Sequence, residues 1–190
     1  KLFVAINNAF VWGSEQPLIG VVDLSTFSYT QEIDLGPDGT NPDNMMIDEN
    51  YIYTVNNKNW SGASFSKVDL NTFTASTINI SDVSTGCGTS CLRGDKLNFQ
   101  LLQDSVLYEW NPVTFLEEGT NIGINDNFYE LAHDTLNDLL YASKTDFQSY
   151  GKVMIYDSNN SFVAEFDCGV SPGTIAFDVR NSTSMLEFSR

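Results

Sequence analysis

The only histidine of the chain, His133, lies in the run Glu130-Leu-Ala-His-Asp134. A histidine beside carboxylates could serve general acid–base chemistry. A serine hydrolase would have to route its Ser–His–Asp relay through this residue. No Gly-x-Ser-x-Gly nucleophile elbow exists to complete it. Asp48, Asp95 and Asp178 stand near the matching turn elsewhere in the chain, so Asp134 reads as a turn residue and His133 as its structural neighbour. Cys87 and Cys91 enclose Gly-Thr-Ser. A disulfide across so short a loop requires the backbone to fold back until the two Cα atoms come within bridging range. Zinc is not expected there, since no second pair of ligands follows and the histidine is far away in sequence. Cys168 reads as a small buried apolar residue. With no His and carboxylate cluster and no Gly-rich phosphate loop, no catalytic residue, metal or cofactor is expected.

Recognition without reaction is the other chemistry on offer. Asn8, Phe10, Trp12, Asn57, Trp60, Phe147 and Tyr150 fall in long polar connections, and Asp43 and Phe128 in two others. Aromatic rings supply contact area for a ligand. The amides and the carboxylate of Asn8, Asn57 and Asp43 supply directional hydrogen bonds. The competing structural reading is that Trp12 and Trp60 only cap the edges of the sheets.

These connections are positioned by a repeat. Asp23-Leu-Ser-Thr-Phe27 returns as Asp69-Leu-Asn-Thr-Phe73, Asn111-Pro-Val-Thr-Phe115 and Asp157-Ser-Asn-Asn-Ser-Phe162, with the phenylalanines 46, 42 and 47 residues apart. Each copy resolves into four short segments, A to D, rich in Val, Ile, Phe, Tyr and Thr and bounded by Gly, Pro, Asn, Asp or Ser. The A segments are Asn44–Asp48, Ser90–Arg93, Tyr129–Asp134 and Thr174–Asp178. The B segments are Leu2–Ile6, Tyr51–Val55, Leu97–Leu102 and Leu139–Ser143, and Met185–Phe188 looks like a fifth. The C segments are Ile19–Leu24, Phe65–Leu70, Ser105–Trp110 and Lys152–Tyr156. The D segments are Thr30–Leu35, Ala75–Ile80, Leu116–Ile122 and Val163–Cys168. Four antiparallel strands per repeat of this length is the β-propeller pattern.

The predicted fold is therefore all-β, a propeller of four-stranded blades with repeats at about 1–43, 44–89, 90–128 and 129–173 and the start of a fifth at 174–190. The Asp-x-x-Thr-Phe phrase turns strand C into strand D, its polar side chains binding nearby backbone, and the phenylalanine re-enters the sheet stack. Two closures compete, an arc of a larger propeller and a four-bladed ring. The ring leaves Met185–Phe188 without a place, so the arc is expected. The B–C and D–A connections share one face; the B–C ones are long in three repeats (Asn7–Leu18, Asn56–Ser64 and Lys144–Gly151) and the D–A ones Gly36–Asp43, Ser81–Thr89 and Gly123–Phe128 are long too, which makes that face the expected working surface.

The chain carries 9 Lys plus Arg against 25 Asp plus Glu, a net charge of −16. Such a field repels phosphate backbones, which argues against nucleic acid as a partner. No apolar run is long enough to span a bilayer. A start at Lys1 without a signal peptide suggests a processed or trimmed chain, and the Asn, Ser, Thr and aromatic richness suits an exported one. Arg93-Gly94-Asp95 spells an integrin tripeptide within a turn, and four Asn-x-Ser/Thr sites are present, a weak signal outside a eukaryotic secretory context.

Leu2-Phe-Val-Ala-Ile-Asn-Asn8 and Tyr51-Ile-Tyr-Thr-Val-Asn-Asn57 resemble the Tyr-Val-Thr-Asn strand of the YVTN-type propellers. Gly20-Val-Val-Asp-Leu24 with Thr30–Gly36 resembles the next two strands, and Gly151–Phe177 is the cleanest copy. The third repeat departs most, lacking the Asn-Asn pair and carrying Asn111 in place of Asp. With its long aromatic B–C loops the chain is most similar to a surface-lipoprotein branch of that family. The resemblance implies about seven blades, an extracytoplasmic, outer-membrane-associated location, capture of a small ligand or cofactor such as cobalamin, and docking on a TonB-dependent outer-membrane transporter or another surface protein. Two alternatives stay open. One is a pure protein–protein interaction scaffold. The other is a lactonase-like or metal-dependent hydrolase, for which the inward strands offer Met45, Met46, Leu92, Glu130 and Thr174, a poor set for hydrolysis.

Overall fold

The structure, a computed structural model, describes residues 1–7, 11, 13–87, 89–116 and 119–179. Four antiparallel sheets follow one another along the chain. The first has three strands, β1 (Leu2–Ile6), β2 (Leu18–Asp23) and β3 (Ser28–Asp34). The second holds β4 (Pro42–Ile47), β5 (Tyr51–Asn56), β6 (Ala63–Asp69) and β7 (Ala75–Ser81). The third holds β8 (Ser90–Arg93), β9 (Lys96–Gln100), β10 (Val106–Trp110) and β11 (Thr120–Asn125). The fourth holds β12 (Glu130–Asp134), β13 (Leu139–Lys144), β14 (Lys152–Tyr156) and β15 (Phe162–Asp167). Each four-stranded sheet is an up-and-down meander, and the inner strands β4, β8 and β12 neighbour one another. This is a β-propeller-like all-β fold. Among the described residues no helix is long and apolar enough to cross a membrane.

The second and third sheets are apolar on both faces because each is sandwiched, and the first and fourth bury one face. One core, between the first and second sheets, packs Ile19, Val21 and Ile33 against Ile52 and Val68. The next gathers Tyr53, Val55 and Phe65 with Leu97, Phe99 and Trp110, where Phe65 meets Phe99 edge-on at 4.9 Å and Trp110 at 4.6 Å. The last joins Cys91 and Leu107 to Leu131, Leu140 and Tyr156. Burying whole aromatic rings in this way contributes about 2–3 kcal/mol each in transfer free energy.

The repeated phrase works through its first residue. Asp23, Asp69, Asn111 and Asp157 each accept a backbone N–H two residues on, at 2.7–2.9 Å. Phe27, Phe73 and Phe115 then turn the chain at φ 51°, 55° and 51°. Phe73 packs on the first core, 6.2 Å from the Phe3 ring, and Phe115 on the second, 5.4 Å from Trp110. Phe27 does not re-enter the stack and is 83% exposed. Phe73 leans on the first sheet, and no described sheet precedes the first to cover Phe27; Phe162 also stays 54% exposed, its ring 6.1 Å from Tyr156 of its own sheet.

Two segments depart from expectation. The fourth strand of the third sheet starts at Thr120 rather than Leu116. The Trp110 indole N–H takes the Leu116 carbonyl at 2.6 Å, so that carbonyl is withdrawn from any ladder. Gly119 then passes over the Phe99 ring, where a Cβ would sit 2.9 Å from its carbons. Thr174–Asp178 is not a strand. It has no following strand to ladder with among the described residues, and Phe177 rests edge-on against Tyr141 at 5.1 Å. Met185–Phe188 lies outside the described residues.

Candidate functional site

The connections β5–β6, β7–β8, β9–β10, β11–β12 and β13–β14 emerge on one face and are tied to one another by hydrogen bonds. Gln100 is the main tie. Its amide donates to the Asp126 carbonyl at 2.6 Å, and its side-chain oxygen accepts the Phe128 N–H at 2.8 Å. Its own N–H donates to the Thr89 carbonyl, and the Leu102 N–H donates to the Ser84 carbonyl. The Thr89 hydroxyl donates to the Tyr129 carbonyl at 3.1 Å. Gly86 is required where the loops touch: its φ is +63°, and a Cβ would meet Leu102 at 2.9 Å.

These ties leave an open cleft of about 220 Å³ between the third and fourth sheets. The β7–β8 loop contributes Thr85, Cys87 and Thr89, and the end of β9 with its loop contributes Gln100, Leu101, Leu102 and Gln103. The β11–β12 loop adds Asn127, Phe128 and Tyr129, and the β13–β14 loop adds Thr145 and Phe147. Phe147 is 62% exposed and meets the Tyr129 ring edge-on at 5.2 Å. It stands at φ 63°, its N–H donating to the Thr145 hydroxyl at 2.8 Å.

Among the described residues, no Asp, Glu, Lys, Arg or His lines the cleft. The charges on its rim are internally committed. Lys144 pairs with Asp126 at 2.6 Å. Asp146 accepts the Ser149 and Gln148 N–H groups, with the Ser149 hydroxyl on its second oxygen, and these bonds hold its pKa down to about 2. Thr85 is 3% exposed, and its hydroxyl has no hydrogen-bond partner among the described residues.

The expected site residues divide. Phe128 and Phe147 come together at this cleft, Phe128 as a buried wall at 5% exposure. Tyr150, 80% exposed, sits further along the Phe147 loop beside a second, shallower groove. Asn57 is buried and does structural duty. Its amide donates to the Gly86 carbonyl at 3.1 Å, and its oxygen accepts the Asn59 N–H at 3.1 Å. Asp43 opens β4. Partial burial pushes its carboxyl pKa up, and a hydrogen bond from Asn57 opposes the shift.

Trp60 is 56% exposed and closes a turn in which Lys58, Asn59 and Trp60 all have positive φ (47°, 54° and 65°). Such backbone costs on the order of 1–2 kcal/mol per residue. It is held by Lys58, whose ammonium reaches Asp38 at 3.0 Å and the Asn79 side chain at 2.5 Å. Asn8, Phe10 and Trp12 lie outside the described residues. Cys87 and Cys91 are both free thiols, Cys87 exposed and Cys91 buried on β8; burial pushes the Cys91 thiol up to about 12. They are not bridged.

Sequence reasoning did not single out Thr85, Gln100, Gln103, Asn127, Tyr129 or Thr145 as a group. They come from four separate connections: Thr85, Asn127 and Thr145 fall in connections expected to be long, Gln100 and Tyr129 read as strand residues, and nothing in the sequence marked Gln103.

On the inner strands, burial raises the Glu130 carboxyl pKa, opposed by the Leu131 N–H. His133 bonds Asp138 at 2.9 Å. Among the described residues, no group of three or more His, Cys, Asp and Glu side chains is placed to hold a metal ion.

No family model matches the chain, and no curated protein matches it. Among solved structures, hydrazine synthase of Kuenenia stuttgartiensis is similar with a TM-score of 0.59 at 14% identity, over 80% of this chain and 43% of that one. The likeness is one of fold. The chain spans less than half the length of that neighbour.

Proposed function

We propose that this chain is a non-enzymatic binding module: an arc of a larger propeller of the YVTN type, at the bacterial cell surface, capturing a small ligand or cofactor on its long-loop face. The observation that carries the reading is the cleft between the third and fourth sheets, which combines an exposed Phe147, a Tyr129 ring set against it, and uncharged amides and hydroxyls. Aromatic walls with a few polar groups are the usual composition of ligand sites. The YVTN-like strands support an exported family, and the raw outer faces support the arc. Leu2 and Val4 are 49% and 41% exposed on one flank, and every residue of β15 is exposed on the other.

A thermal-shift screen with cobalamin, haem and an oligosaccharide library tests the binding reading, because a ligand of the native state raises apparent stability. A stabilising compound whose effect disappears in Phe147→Ala is expected. Compounds that stabilise both proteins equally, or none that stabilise either, would count against it.

A second reading, docking on an outer-membrane transporter or another surface protein, is favoured by Trp60. An exposed tryptophan on a braced left-handed turn is a pre-ordered anchor of the kind that dominates protein interfaces. Native co-purification of a membrane partner that Trp60→Ala abolishes would favour it. The hydrolase alternative predicts turnover that Glu130→Gln removes.

A further inference from the structure

The cleft between the third and fourth sheets also bears on what kind of ligand it would take. We infer that its ligand is an uncharged, polyhydroxylated one: a residue of a neutral saccharide. The inference rests on the reading of this cleft as the working site.

Charge argues first. The protein carries −16 overall, yet none of the described residues of the cleft wall carries a formal charge. An anionic ligand would enter against the net field with no free cation among the described residues to meet it, since Lys144 is already paired with Asp126. A cationic ligand would find no carboxylate in the wall, and the nearby Asp146 carboxylate is spent on its own turn. A neutral ligand incurs neither cost.

The polar complement argues next. Gln103 and Asn127 bring exposed planar amides, each able to donate and accept at once. The buried Thr85 hydroxyl lacks a partner. Mixed donor–acceptor groups of this kind match vicinal hydroxyls, which also donate and accept. The Phe147 face, open to solvent, matches the other surface of a sugar ring, its patch of C–H bonds. Size is consistent: about 220 Å³ falls below the roughly 300–1,000 Å³ of pockets for drug-sized ligands, and suits one ring of a longer chain running out through the open mouth.

The test is an amide-shift NMR titration of the intact chain. The probes are neutral oligosaccharides ending in glucose, galactose, mannose or N-acetylglucosamine, with acidic counterparts ending in sialic or uronic acid. Cys87 alkylation, mapped by mass spectrometry, is followed in parallel, because this exposed thiol lines the cleft. At least one neutral series is expected to shift the amides of Gln103, Asn127 and Phe147 and to slow Cys87 alkylation, with the acidic counterpart weaker. Phe147→Ala should weaken that binding about tenfold and Gln103→Ala about fivefold, with melting temperatures unchanged because both side chains are exposed. Acidic sugars binding as well as neutral ones would overturn the inference. So would cobalamin or a peptide perturbing these amides where no neutral sugar does, though the cleft would then remain a binding site. Silence of every probe at these amides at millimolar concentration, with Phe147→Ala altering no ligand effect, would overturn both.

Discussion

The Asn57 side-chain amide donates to the Gly86 carbonyl at 3.1 Å, so the β5–β6 loop that carries Trp60 holds the β7–β8 loop that carries Thr85 and Cys87. The tie is reciprocal, since the Ser84 hydroxyl donates back to the Asn57 carbonyl at 3.2 Å. Both ends are buried, where an unmade hydrogen bond costs most. Replacing Asn57 by Ala should therefore destabilise the chain by about 2 kcal/mol in urea unfolding. It should also speed amide exchange in the Ser84–Cys87 segment more than at Phe147. Equal exchange at both loops would mean that the tie does not hold the first one.

Asn98 should be a site of stabilising substitution. In the pairing of the first two strands of each four-stranded sheet it takes the place of Tyr53 and Tyr141, opposite Cys91 where they oppose Met46 and Ala132. It is 0% exposed, and neither polar atom of its side chain has a partner. Asn98→Leu should raise stability by about 1–2 kcal/mol, the cost of a buried unsatisfied amide. A loss in the urea midpoint would reveal a buried water that the amide serves.

Acid should loosen the Phe147 loop through Asp146. Its folded pKa of about 2 lies below the ordinary 3.8, so the native state binds fewer protons there than the unfolded one. The stability it contributes is full above pH 3.8 and is lost as pH falls towards 2. Amide shifts of Gln148 and Ser149 should titrate in that window, and Asp146→Asn should abolish the titration. Glu130 has the opposite sign. Burial raises its pKa above the ordinary 4.5, so stability is lost as pH rises from 4.5 through the folded value. Glu130→Gln should be more stable than the parent at neutral pH and lose that advantage below pH 4.5; a constant difference across the range would rule this out.

Trp60 stores backbone strain. Trp60→Gly should be more stable than Trp60→Ala by about 0.5–1 kcal/mol, the left-handed penalty of alanine less the extra unfolded-state freedom of glycine. Both variants should lose any partner that docks on the ring. Calorimetry of the pair isolates the backbone term, because both lack the indole; equal melting temperatures would mean the turn is unstrained at this position.

The ladder was largely legible from the four copies of the repeated turn phrase. Segments such as Leu2–Ile6, Ser90–Arg93 and Lys152–Tyr156 coincide with β1, β8 and β14, because alternation and turn residues are local properties of the chain. Asn57 was legible as important but not as a tether, since its partner Gly86 lies 29 residues away. Phe128 reads as the end of the long connection Gly123–Phe128, yet it is drawn into the last core and lies 6.2 Å from the Tyr156 ring.

The order of alternating segments, the acidic charge and the loop-rich face follow from the sequence by itself, because each depends on residues close together in the chain. The cleft depended on tertiary structure. Its wall is assembled from connections of successive sheets, and which side chains meet there was decided by how the third and fourth sheets pack and by the bonds Gln100 makes across the gap. The same packing left Phe27 bare while burying Trp110, since a turn phenylalanine or core indole is covered only where a neighbouring sheet leans on it.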